Sequence, residues 1–498
     1  MNFLDMVKQH PGGVDAPAIT FGDGPAISYG ELLQRADDVA QWLRAAGVQP
    51  GDRIALVAKN GPWFFELLLA CCAIGAALVP INTRLSPSEI GGILDDCAPS
   101  RIVADSAGMA GVPGRFGSLD AAESLGRAPE AQGAAAASPQ RAEATAVLLQ
   151  MYTSGTTGKP KGVMLTHANI ASIAQTGARA LGAFNPEDRA LVCLPLFHIA
   201  GVDWALFSLI SGAHIFLHGE VQAAAIVDAM VQHRITKTLL VPAVIRMVTE
   251  EMERRCVHVE SLGALCFGAS AMPEELIARA RAAFPRARMY HVYGMTESTG
   301  MFTALDPAEI EAGRRLLSCG KAFDTGEIRV VDERGKAVAA GAVGHIVYRG
   351  PQCMLGYWGN TQATASTVLD GWLQTGDLGS LDEEGFLYVR DRIKDVIDTG
   401  GEKVSPAEVE NVLAAHPAIA DVAVIGCPDP RWGEAVTAVV VRRQGEHLLL
   451  EQLRAFARDR LAGFKLPQRL VFMAQLPRNA SGKVLKHVLR DQLGSGLE

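Results

Sequence analysis

Short runs of β-branched and aliphatic residues alternate with longer stretches of helical apolar spacing over most of the chain. Residues 53–59 (RIALVAK) read as a strand and 63–74 as a buried helix; residues 237–242 and 264–268 are further strands, each followed by a helical pattern. Such alternation predicts α/β layers with largely parallel sheets, because parallel neighbours need a crossover between them. From about residue 324 the texture changes. Residues 326–332, 344–350 and 385–390 are short strands separated by turns, which predicts a smaller β-rich subdomain. An α+β pattern then follows, with strands at 421–426 and 436–442 and a helix at 448–461. The expected fold class is therefore α/β. Residues 1–391 form a large N-terminal domain of layered α/β subdomains plus the β-rich one, and residues 392–498 a small α+β C-terminal domain. Residues 106–140 are rich in Ala, Gly, Ser and Pro without a sustained period, and read as a surface excursion.

Composition narrows the function classes. A chain of 498 residues exceeds one simple core, and 49% hydrophobic with 20% charged residues excludes disordered and fibrous classes. The net charge of −8 argues against non-specific nucleic-acid binding, which needs a basic face. Nine scattered cysteines show neither C-x-x-C nor zinc-ligand spacing, so disulfides are not expected and a reducing cytoplasm fits. Residues 1–5 (MNFLD) are not the start of a signal peptide. The longest uncharged apolar stretch, 67–83, is broken by Gly75 and Pro80 and falls short of the ~20 residues that span a bilayer.

The strongest local anomaly is YTSGTTGKPKG at residues 152–162, which packs three Thr, one Ser, three Gly and two Lys together. Glycines let backbone N–H groups turn inward, hydroxyls add donors and lysines supply charge, as an oligophosphate requires. It is not a Walker A loop: Gly155 and Gly158 enclose only two residues, and Lys159 is followed by Pro160 rather than a hydroxyl residue.

Extended to Val163, this string resembles the signature of the adenylate-forming acyl-CoA synthetases, the superfamily that includes peptide-synthetase adenylation domains and firefly luciferase. Further motifs follow in the family's order: LPLFH at 194–198, VYGMTE at 292–297, TGD at 375–377, RIKD at 392–395, GGEKV at 400–404 and PRNASGK at 477–483. The resemblance covers essentially the whole chain. It implies an ATP-dependent carboxylic acid–CoA ligase. A carboxylate attacks the α-phosphate of Mg·ATP to give acyl-AMP and pyrophosphate, then the CoA thiol displaces AMP. One anion attacks another, so cations and oriented donors must neutralise the developing charge.

Carried over residue by residue, the resemblance implies that Thr153, Ser154, Gly155, Thr156, Thr157, Gly158 and Lys161 wrap the β- and γ-phosphates. Glu297 is the magnesium ligand and Thr296 a phosphate contact; read alone, the pair is equally a capped helix start. Tyr293 and Gly294 pack on the adenine, with the turn Gly268, Ala269 and Ser270 along its edge. Asp377 and Arg392 hold the ribose, although a β-turn is the other reading of Asp377. His198 flanks the substrate carboxylate. Lys483 reaches the α-phosphate during adenylation. Lys394 is the hinge about which a mobile C-terminal lid rotates, withdrawing Lys483 and bringing Gly400 and Gly401 towards a CoA tunnel.

The same resemblance puts Ala200, Gly201, Trp204, residues 267–272, Val292 and Met295 around the acyl pocket. Val292 stands where many long-chain and coumarate-type members have Gly, and Trp204 is bulky, which together suggest a shortened pocket for a medium-chain fatty or small aromatic acid. Asp203 would repel an anion and is expected to point away. A long-chain ligase, or a stand-alone enzyme delivering acyl groups to a carrier protein, remains an alternative; the 104 residues after position 394 leave no room for a fused carrier. A nucleotide-binding sensor would be expected to lack Lys161, Glu297 or Lys483, and no G-x-S-x-G hydrolase elbow occurs. ATP, Mg2+, CoA and a small-molecule acid are thus the expected partners, with no nucleic acid and no membrane segment.

Overall fold

The computed structural model describes residues 3–116, 120–122, 125, 143–153, 160–270, 272–392, 395–478 and 484–494. Among them, the first large sheet has nine strands. Its centre is parallel: Ala264–Gly268 lies between Arg288–Met295 and Lys237–Leu240, followed by Arg189–Val192, His214–Leu217 and Pro17–Phe21. Gly300–Leu305 adds antiparallel to Arg288–Met295. The second sheet has seven strands, with Arg53–Val57 parallel to both Ala77–Pro80 and Arg101–Ala104, and the hairpin Val147–Thr153/Lys161–Thr166 at one side. One continuous apolar core joins these two sheets and their helices.

The expected β-rich unit is present as a five-stranded antiparallel sheet. It pairs Glu327–Val331 with Gly344–Arg349, and Trp372–Leu381 with Leu387–Arg392. The last of these strands starts two residues later than the pattern suggested. Beyond it, Ile419–Asp429 and Gly433–Arg442 form a long hairpin with the parallel strand Arg469–Phe472, and this unit buries its own apolar clusters, all from residue 397 onward. The helix expected at 448–461 is shorter, Leu450–Ala457. The excursion at 106–140 also needs correction. Asp105 accepts from the Gly108 amide and starts a helix, Ser106–Gly111, while residues 126–140 lie outside the described ones.

Among the described residues, no helix is long and apolar enough to cross a membrane. The nine cysteines are free thiols, and those at 71, 72, 193 and 266 are buried; burial pushes Cys71 and Cys193 up to about 12, so they behave as small hydrophobes.

Two buried ionisable groups in the core respond to pH in opposite directions. His167, in the first turn of His167–Ala180, is fully buried with neither ring nitrogen hydrogen-bonded, and burial lowers it to about 4. Asp203, on the helix Ile199–Ile210, is also fully buried. Its carboxyl lies against Gly300, where a Cβ would collide with it, and beside Cys266; the Met301 amide faces it outside hydrogen-bond geometry, so both oxygens are unpaired. Burial holds this carboxyl protonated, well above the ordinary range.

Linkage gives the two groups opposite signs. Below about pH 6.5 the unfolded chain takes a proton that His167 refuses, costing about 1.4 kcal/mol per pH unit down to pH 4. His167→Phe should therefore flatten the fall of the urea midpoint between pH 6.5 and 4; an unchanged slope would exclude this imidazole as its source. Above the ordinary Asp value the unfolded carboxyl ionises while Asp203 keeps its proton, so stability falls as pH rises. Asp203→Asn should stabilise by about 1–3 kcal/mol at pH 8, with the gain fading towards pH 4 in denaturant titrations.

Candidate active site

The phosphate-loop region is a hairpin. Val147–Thr153 and Lys161–Thr166 pair antiparallel with Thr153 opposite Lys161. Thr153 and Lys161 are described; Ser154, Gly155, Thr156, Thr157 and Gly158 lie outside the described residues. Lys161 Nζ stands 4.9 Å from the ring centre of Tyr357.

The VYGMTE segment ends the strand Arg288–Met295 and turns at Thr296–Ser298. Ser298 clamps this turn: its hydroxyl donates to the carbonyl of Gly300 (2.7 Å) and accepts from the Met295 amide (3.1 Å). Glu297 is buried, and its Oε1 accepts a 2.8 Å hydrogen bond from the Tyr357 hydroxyl. Burial and this carboxylate both push the Tyr357 phenol up, so it remains a donor at neutral pH. No cluster of three His, Cys, Asp or Glu occurs among the described residues. A lone carboxylate therefore fits a hard cation that brings phosphate oxygens and water as its remaining ligands, as magnesium does, and does not fit an all-protein metal cage.

Tyr293, Asp377 and Arg392 converge. The Tyr293 hydroxyl donates to Asp377 Oδ2 at 2.6 Å, and Arg392 Nε lies 3.3 Å from Asp377 Oδ1. Burial and the neighbouring carboxylate raise the Tyr293 phenol well above its usual value. Its ring meets Phe302 edge-on at 5.1 Å. Asp377 does not sit in a simple turn. It lies within Trp372–Leu381, where residues 375–377 bulge opposite Ile346 and Thr375 Oγ1 donates to the Ile346 carbonyl (2.8 Å). Asp377 then pairs directly with Arg392 across the sheet. The bulge explains why glycine and a turn-like sequence occur inside a strand.

Gly268 ends its strand opposite Val292, so close that a side chain there would strike the Val292 carbonyl. Ala269 follows in the left-handed region (φ 66°) and is exposed beside Ser270. Gly294 is packed against Gly300 and Met301 in the same way.

His198 caps the helix Ile199–Ile210 without a side-chain capping bond, and its Nε2 has no partner. Burial and the Arg84 charge lower it to about 4, so this imidazole is neutral at pH 7. Ala200 is partly exposed, and Gly201 packs on the carbonyls of Leu194 and Pro195. Trp204 is wholly buried, edge-on to Phe184 at 4.9 Å. Val292 is buried and Met295 partly so. The Asp203 carboxyl is fully buried against Gly300.

Gly400 and Gly401 form the two-residue turn between Ile397–Thr399 and Glu402–Val404, both with positive φ (63° and 87°). Turn geometry alone demands glycine at 401, where a Cβ would meet open space; at 400 a Cβ would also press on Trp432. Lys394 and Lys483 lie outside the described residues. On either side of residue 394, Arg392 is tied to Asp377, and Asp395 accepts from Arg490 at 2.9 Å.

Sequence reasoning did not find Tyr357, although Gly-Tyr-Trp at 356–358 is an unusual aromatic pair beside a glycine. It also missed Arg84, which shares a crevice with Lys59, Asn60 and Phe197 at the carboxyl ends of strands from both large sheets.

Comparison with known proteins bears on this geometry. The family model described as AMP-binding enzyme matches residues 7–358, and that of the AMP-binding enzyme C-terminal domain matches 408–483. A feruloyl-CoA synthase of an Amycolatopsis species is 37% identical, with 96% of each chain covered. A fatty acid–acyl-carrier-protein ligase of Streptomyces coeruleorubidus is 35% identical over 94% of this chain and 92% of the relative. The solved o-succinylbenzoate CoA synthetase of Bacillus subtilis, in complex with its acyl-adenylate intermediate, superposes with a TM-score of 0.85 at 31% identity, covering 100% of this chain and 98% of that one. With both family models matched in order and relatives aligned end to end, the chain belongs to the AMP-binding enzymes, the adenylate-forming acyl-CoA synthetase superfamily.

Proposed function

We propose that this protein is an ATP-dependent carboxylic acid–CoA ligase that forms an acyl-AMP intermediate and then an acyl-CoA thioester, releasing AMP and pyrophosphate. The observation that carries this reading is the convergence of one buried carboxylate, Glu297, with Lys161 on Tyr357, while Tyr293, Asp377 and Arg392 gather on one another. That arrangement supplies a phosphate end and a nucleoside end.

Magnesium, when bound, supplies charge that neutralises the phosphate oxygens. Glu297 is the residue to hold it. Thr153, Thr296 and Lys161, with Ser154, Gly155, Thr156, Thr157 and Gly158, cradle the β- and γ-phosphates. Asp377, as an acceptor, takes the ribose hydroxyls, with Arg392 fixing its orientation; Tyr293, Gly294, Gly268, Ala269 and Ser270 flank the adenine. His198 is uncharged, so it does not compensate the substrate carboxylate. It offers an unpaired nitrogen and a wall beside the reacting acid. Lys483 is the cation for the reacting phosphate.

Residues 1–391 and 392–498 are the two domains, supported by the separate apolar cores after residue 397. Lys394 is the hinge, and rotation there exchanges Lys483 for the Gly400–Gly401 turn. Ala200, Gly201, Trp204, Val292 and Met295 bound the acyl group. The wholly buried Trp204 supports a short pocket and a medium-chain fatty or small aromatic acid. The carrier-protein acceptor is a second reading, favoured by the Streptomyces relative. The free thiols support a cytoplasmic location.

Two experiments test this. Carboxylate-dependent exchange of labelled pyrophosphate into ATP should peak at medium-chain or small aryl acids; a long-chain optimum would discard the pocket argument and keep the enzyme class. Lys483→Ala should lose adenylation by about 100-fold or more, the scale of one lost transition-state donor, while thioesterification of supplied acyl-AMP largely survives. Equal loss of both steps would overturn the rotation.

A further inference from the structure

We infer that Tyr357 is a positioning residue for adenylation: its hydroxyl fixes the Glu297 carboxylate while its ring carries Lys161, so one side chain sets the spacing between the metal-holding carboxylate and the phosphate cation. The inference rests on the function proposed above.

The geometry begins with the backbone. Residues 354–358 run between two structures that the sequence keeps far apart, the Thr296–Ser298 turn and the strand Lys161–Thr166. The Met354 amide donates to the Glu297 carbonyl (2.8 Å), Leu355 to Met164 (3.0 Å) and Trp358 to Gly162 (2.8 Å). Tyr357 pairs with Val163 across the two-residue strand Gly356–Tyr357. Its own amide donates to Thr364 Oγ1 at 2.9 Å, which fixes where the side chain leaves the backbone. The Arg53 guanidinium sits 3.3 Å over the Trp358 ring, and the indole N–H donates to the Asp96 carbonyl (3.0 Å), so the far end of the segment is anchored too.

From this frame the phenol reaches Glu297 Oε1 and its ring faces Lys161 Nζ. A glutamate has three side-chain torsions. Without a partner the carboxylate would sample several rotamers, and a ligand carboxylate is usually held by exactly this kind of outer hydrogen bond. The ring interaction is weaker and sets direction more than energy. Phenylalanine would pack equally well at this buried position; the hydroxyl is what packing does not require.

The test uses the full chain and Tyr357→Phe, which keeps the ring. Mn2+ serves as the probe, its binding in the presence of ATP read by electron paramagnetic resonance of the free ion. The Phe variant should bind Mn2+ about tenfold more weakly, and half-saturating Mg2+ in pyrophosphate exchange should rise by a similar factor. Nucleotide binding in EDTA and thioesterification of supplied acyl-AMP should stay within twofold. In a Glu297→Gln background the Tyr357→Phe change should add less than twofold. Tyr357→Leu, which also removes the ring, should in addition weaken metal-free ATP binding. Wild-type Mn2+ affinity in the Phe variant, or multiplicative effects of the two substitutions, would overturn the inference. A wild-type protein that exchanges pyrophosphate with no acid would instead sink the underlying functional reading.

Discussion

A row of hydrogen bonds made by the backbone groups of residues 351–358, to side chains and to other backbone, holds the candidate site together. Asn169 donates to the carbonyls of Pro351 and Cys353, Thr299 to that of Gln352, and the amides of 354, 355 and 358 turn to the Glu297 turn and the strand Lys161–Thr166. One short segment thereby joins three units: the nine-stranded sheet, the seven-stranded sheet and the antiparallel sheet that carries Asp377. Each unit could fold with its own register intact and still leave Glu297, Lys161 and Asp377 apart. The segment removes that freedom, and because hydrogen bonds are directional, it does so with little tolerance in distance.

Charge is managed by separation as much as by pairing. Arg392 is matched to Asp377 at the surface of the site, while groups that cannot be paired are discharged by burial. His198 stays neutral next to the Arg84 charge, and Asp203 keeps its proton against Gly300. The two buried carboxylates of the candidate site are both held by phenol hydroxyls, Glu297 by Tyr357 and Asp377 by Tyr293.

Much of this was legible in the sequence, for reasons that differ by residue. The parallel strands at 53–57, 237–240 and 264–268 announced themselves because both faces are buried and the runs are continuous. The motif at 152–162 stood out because its unusual composition is compressed into eleven consecutive positions, and the structure places its two ends on paired strands. Asp377 was ambiguous because a bulge writes turn residues into a strand. Tyr357 was hidden because its strand has two residues, too few for any period, and its partners Lys161 and Glu297 lie far off along the chain. The shortened helix Leu450–Ala457 has another cause: its apolar spacing continues past the point where helical backbone stops.

The edge of the larger sheet carries a consequence for synthesis. Ile19 pairs with Ile27 of the neighbouring strand Ala26–Ser28, but on its other side with Ile215, so the first strand to leave the ribosome waits about 200 further residues for its parallel partner. At 5–20 residues per second that is a wait of roughly 10–40 s. Throughout that interval the apolar strand Pro17–Phe21 and the helix Pro62–Ile74, which is buried on nearly every face in the finished protein, have no completed sheet to cover them. The order of synthesis thus leaves the inner side of the first hairpin open until the strand His214–Leu217 emerges.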